Sequence, residues 1–143
     1  MTYSEQQVYQ FTQPIFSTLG DDLKWRYEER LSAMLSEFAR DKNQRVQDKL
    51  AEHFPDKWDR KSIKKAPKAL KHQLGKLAKL NAEQLIFSVP ASDSSPTLIA
   101  LWWPWDHGGT FSVRLLALPE SYNIEPTKLN IFTKLKLLFS ANK

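Results

Sequence analysis

Apolar positions recur along this chain with two different periods, and the change from one to the other predicts its architecture. Up to about residue 80 they fall three or four apart, the spacing that lines one face of a helix. From residue 84 to residue 118 they alternate or run together, as strands do. Ser4-Glu5-Gln6-Gln7 has the form of a capping box opening a first helix, with Val8, Phe11, Ile15 and Leu19 on one side. Pro14 should kink or split that helix, and Gly20 should end it. A second helix is predicted from an Asp21 or Asp22 cap, because Leu23, Tyr27, Leu31, Met34, Leu35 and Phe38 follow at helical spacing. A shorter helix over 43–54 would bury Val46, Leu50 and Phe54 and stop at Pro55. Residues 55–66 read as a charged connector containing Trp58. Pro67 then stands where a helix tolerates it, and over 67–80 Leu70, Leu74 and Leu77 share a narrow arc opposite Lys68, His72 and Lys79, with Lys71 and Lys76 at its flanks.

The strand signals begin with Gln84–Pro90, and residues 91–96 form a turn-rich link into the strongest feature of the chain. Two apolar runs flank Asp106-His107-Gly108-Gly109, the pattern of a β-hairpin. With Trp105 opposite Thr110, Leu98 faces Ala117, Ala100 faces Leu115, Trp102 faces Val113 and Pro104 faces Phe111. Every one of these is apolar, so this is the core face. The other face pairs Ile99 with Leu116, Leu101 with Arg114, and Trp103 with Ser112. Two fates are open to it. Helices cover part of it, which the general burial of large apolar side chains favours; or Ile99, Leu101, Trp103, Trp105 and Arg114 form an exposed partner-binding strip. Pro119 ends the sheet signal, and Thr127 opens a last helix with Leu129, Phe132, Leu135 and Phe139 inward. Lys134, Lys136 and Lys143 make it a candidate for an anionic membrane surface, but its apolar residues surround the axis and favour packing on the sheet. The expected fold is one α+β domain over 1–143: N-terminal helices, a three-stranded antiparallel meander (about 84–90, 97–105 and 110–118), and a C-terminal helix packed on it. The free edge of the 84–90 strand would be open to a second subunit or to a covering helix.

Composition changes this picture in one respect. The 143 residues carry a net charge of +5, but the excess is local. Eight of the 21 basic residues lie between Arg60 and Asn81, where there is no acid; the other 13 are outnumbered by 16 acidic residues. Such asymmetry says more about partners than the total does. Lys57, Arg60, Lys61, Lys64, Lys65, Lys68, Lys71, Lys76 and Lys79 are therefore the candidate contacts to an anionic macromolecule, with nucleic acid the first choice and an acidic protein the next. A solvated surface is the plainer account of the same run. Lysine outnumbers arginine, so base reading would be weak and phosphate contact dominant.

Other chemistry finds little footing. Four glycines leave no Gly-rich phosphate loop, and His53, His72 and His107 lie too far apart for a local metal site. The chain has no cysteine, which removes thiolate chemistry and disulfides and fits a reducing cytoplasm. No run is long and apolar enough to span a bilayer, and residues 1–7 lack the basic and apolar regions of a secretory signal. Asp56, Asp59, Glu28 and Glu29 are carboxylates with nothing to orient them, and Asp106-His107 is more simply turn chemistry than an acid–imidazole pair. The expectation is a cytoplasmic, non-enzymatic binding protein without a metal or cofactor. A protein–protein adaptor using the Trp-rich face is the alternative, and an enzyme at Asp106-His107 the third reading.

Overall fold

Residues 3–119, apart from the side chain of Asp106, are described by a computed structural model. Its order is α1 (Glu5–Phe16), β1 (Arg26–Glu28), β2 (Ala33–Ala39), α2 (Asn43–His53), β3 (Asp56–Trp58), α3 (Lys68–Leu74), β4 (Leu85–Val89), β5 (Thr97–Trp105) and β6 (Thr110–Leu118). The expected meander is present as β4, β5 and β6, but it is the middle of a larger sheet. Six antiparallel strands run in the order β1-β2-β6-β5-β4-β3. The mixed α+β class stands; the three-stranded sheet does not.

The hairpin has the register that alternation demanded, with Trp102 opposite Val113, Leu101 opposite Arg114 and Trp105 opposite Thr110. His107 and Gly108 take left-handed φ values of 53° and 86° to close the turn. The Arg40 N–H donates to the Gly109 carbonyl at 3.1 Å and ties the end of β2 to it.

The expected helix over 22–38 is the main correction. Residues 26–28 and 33–39 are strands, joined by a turn in which the Ser32 N–H donates to the Glu29 carbonyl. Helix-forming Ala33, Met34, Leu35 and Glu37 are overruled by a tertiary demand. β6 is buried along nearly its whole length on both faces, so it cannot serve as a bare edge. β2 pairs with it from Met34 opposite Leu115 to Ala39 opposite Thr110. A strand buried on both faces reads as an apolar run, and such a run also satisfies helical spacing. The charged connector hides a second strand: β3 lies along β4 and occupies the edge expected to be free for a subunit. Its three residues, Asp-Lys-Trp, suit an edge protected by charge.

Local signals held in part: the helix expected over 67–80 is α-helical only over Lys68–Leu74 and passes at Gly75 into a 3₁₀ turn (Gly75–Ala78), and α1 ends at Phe16, ahead of Gly20. Ser4 and Gln7 close the capping box reciprocally at 3.2 and 2.9 Å. α1 continues through Pro14 to Phe16 without splitting. Helix α2 ends before Pro55 as its pattern required. The expected helix from Thr127 lies outside the described residues.

The sheet separates two cores. On one face Ile15, Leu19, Val46, Leu50 and Phe54 from the α1–α2 side pack on Phe87, Ala100, Trp102, Val113 and Leu115. On the other, Ile63, Ala66, Leu70, Leu74 and Leu80 pack on Ile86, Ile99, Leu101, Leu116 and Leu118.

Candidate nucleic-acid interface

The segment from Arg60 to Lys79 is laid over the second face by its own apolar positions. A 3₁₀ turn (Ser62–Lys65) buries Ile63, and α3 buries Leu70, Gln73 and Leu74. Gln73 anchors the inner side further, its amide donating to the Pro119 carbonyl at 3.3 Å. Once those positions face the sheet, helical geometry turns Lys68 and His72 outward. Lys71 lies at the flank, half-buried, and its ammonium donates to the Lys64 carbonyl at 2.8 Å, joining the 3₁₀ turn to α3. Gly75, with φ at +56°, ends the helix where another residue would be strained. The chain then passes through a second 3₁₀ turn (Gly75–Ala78) to Lys79.

Arg60, Lys61, Lys64, Lys65, Lys68, Lys76 and Lys79 are all exposed. Among the described residues none of them takes part in an ion pair. The acid just before this run, Asp59, is committed elsewhere. Its Oδ1 accepts the backbone N–H groups of Ser62 at 2.8 Å and Lys61 at 3.0 Å, starting the 3₁₀ turn. The hydrogen bonds from Ser62, with smaller help from Lys61, hold its carboxyl below the ordinary aspartate range. Lys57 is apart from the group. Neighbouring strand residues point to opposite faces, so while Trp58 turns toward α3, Lys57 turns to the α1–α2 side, its ammonium 5.9 Å from the centre of the Phe87 ring.

The expected partner strip is not one surface. Ile99 and Leu101 are fully buried beneath the α3 layer, because the second core closes over them. Arg114 is also buried and fully engaged. Its Nε and Nη2 donate to the two carboxylate oxygens of Glu28 at 2.6 and 3.1 Å, and Nη1 donates to Ser112 Oγ at 3.0 Å. The guanidinium lies 4.6 Å from the Trp103 ring centre. This fork-on-fork pair holds the Glu28 carboxyl below the ordinary glutamate range, against the opposing effect of its partial burial. Arg30 stands 3.7 Å from the same carboxylate, and Arg26 pairs with Glu37 at 3.2 Å. Of the proposed strip only Trp105 is open, at 50% exposure. Glu28, expected to be a carboxylate with nothing to orient it, is oriented by Arg114, a partner hidden while its segment is read as a helix. The signal that points to it is Arg114 itself: an arginine flanked by buried strand residues requires a carboxylate partner.

His107 stands exposed on the hairpin turn. Among the described residues, no three His, Asp or Glu side chains converge as a metal-ligand set, and no helix is long and apolar enough to cross a membrane. No protein-family model matches this chain, and no curated protein or solved structure shows significant similarity to it.

Proposed function

We propose that this is a non-enzymatic, cytoplasmic protein that binds nucleic acid through the cationic surface of the Arg60–Lys79 layer, without strong sequence preference. One observation carries the reading: seven exposed cations in a stretch without acids, free of ion pairs among the described residues, borne outward by a segment whose apolar side chains are spent on the sheet. Like charges gathered this way repel one another by a few tenths of a kcal/mol per close pair. A polyanion relieves that repulsion and releases its own counterions on contact. Lysine ammoniums are point charges that match phosphate oxygens and read guanine edges poorly, which fits binding by charge and not by sequence.

The Trp-rich adaptor reading loses its support where Ile99, Leu101 and Arg114 are buried. An acidic protein partner remains an outcome of the test. Fluorescence anisotropy with labelled DNA and RNA at about 50 and 200 mM salt measures the effect: four phosphate contacts predict a loss of roughly 50- to 150-fold between the two. Absence of binding at the lower salt, or binding indifferent to salt, overturns the proposal.

A further inference from the structure

We infer that the nucleic acid engaged is single-stranded, with the exposed ring of Trp105 as its base-stacking platform; this rests on the reading of the Arg60–Lys79 layer as a phosphate-binding surface. The topology places the ring and the first cations of the layer, Arg60 and Lys61, at the same end of the sheet. β3 and β5 both run antiparallel to β4, so they point the same way, with Trp58, Ile86 and Leu101 in register across them. The chain leaving Trp58 therefore turns, through Asp59, Arg60 and Lys61, at the end of the sheet toward which β5 runs. Trp105 lies four residues beyond Leu101 and two strand spacings from β3, about 13 Å along and about 10 Å across, or about 16 Å in all. Alternation along β5 sets Trp105 on the same face as Ile99, Leu101 and Trp103, the face that carries the cationic layer. A few nucleotides span that distance, fewer than the roughly 4–16 that single-strand-binding folds accommodate.

The surroundings suit this use. Trp103, the next residue inward on that face, is pinned by Arg114, which Glu28 and Ser112 hold, so the strand under Trp105 is braced. Trp105 is one of only two large hydrophobic side chains among the described residues that are this exposed, the other being Tyr9 on α1. A duplex keeps its bases stacked inside and offers this ring nothing; an unpaired strand offers a π-face at every base.

The test compares an oligothymidine and an oligouridine of about 15 nucleotides with a duplex of equal length, using wild type, Trp105→Ala and Trp105→Phe. Both single strands are expected to bind more tightly than the duplex at equal salt. Trp105→Ala should lose roughly 10- to 100-fold of single-strand affinity, Trp105→Phe should keep most of it, and neither should change duplex affinity. An unchanged melting temperature shows that the variants are folded, as the exposure of the residue leads one to expect. If Trp105→Ala binds single strands as wild type does while salt-sensitive binding persists, the stacking inference falls and the phosphate reading survives. If neither form of nucleic acid binds at low salt, both fall.

Discussion

The two faces of the sheet receive side chains from the same strands, yet they are built to different ends. On the α1–α2 face, Phe87, Ala100, Trp102 and Val113 are buried at 2% exposure or less, under two helices, with aromatic rings at Phe38, Trp102 and Phe111 meeting in tilted or stacked pairs. On the other face apolar burial covers only part of the strand length. It gives way toward the hairpin to Arg114, Glu28, Trp103 and Trp105, and its cover carries outward cations that take part in no ion pair among the described residues. One face is spent on stability. The second divides its residues between stability and charge, which is why the proposed binding groups all belong to it.

Substitutions on the two faces should separate these roles. The largest effect is expected on the first face, where Trp102→Ala removes a ring packed among others and should cost about 3–5 kcal/mol in chemical denaturation. Nucleic-acid binding should fail only in proportion to unfolding. On the second face, Leu70→Ala should cost about 2–4 kcal/mol and loosen the layer that carries the lysines. Its salt-dependent affinity should drop even at temperatures where circular dichroism reports a folded protein. A drop that tracks the unfolded fraction alone would erase the distinction between the faces.

Glu28→Gln should cost roughly 2 kcal/mol, because the buried Arg114 guanidinium loses its charged acceptor. The same pair gives a pH signature. The Glu28 carboxyl titrates lower in the folded state than in the unfolded one, so its stabilisation is complete above the ordinary glutamate value of about 4.3. It is lost as pH falls through the lowered folded value. Urea midpoints measured between neutral and strongly acidic pH should show this loss in wild type, and Glu28→Gln should lack that component. The smallest stability effect is expected from Lys64→Glu with Lys68→Glu, within about 0.5 kcal/mol because both side chains are exposed and unpaired among the described residues. Binding should weaken strongly all the same, with the salt slope reduced by about 2. Unchanged binding in that double variant would remove the lysines from the interface.

Legibility followed the range of the interactions concerned. The β5–β6 register could be read once the four-residue turn Asp106–Gly109 was assumed, since that turn sets Trp105 opposite Thr110 and leaves one face paired wholly by apolar residues. The α1 cap and the outward Lys68 of α3 were equally local, each set by residues within a turn or two. β2 was not legible, because Ala33–Ala39 suits a helix as well as a strand that is buried on both sides. β3 was too short to carry a period. For the site, the cations were visible as a run without acids, whereas the separation of Lys57 from the rest required knowing that it lies in a strand.

Local chemistry thus determined side-chain direction only where the period of an element was unambiguous, as in α1, α2 and the β5–β6 hairpin, because there it depends on near neighbours alone. Only the tertiary structure decided which strands lie side by side, that α3 covers Ile99 and Leu101, and that Glu28 meets Arg114 from 86 positions away. Those outcomes depend on satisfying every strand edge and every buried charge at once, a condition that no stretch of chain meets alone.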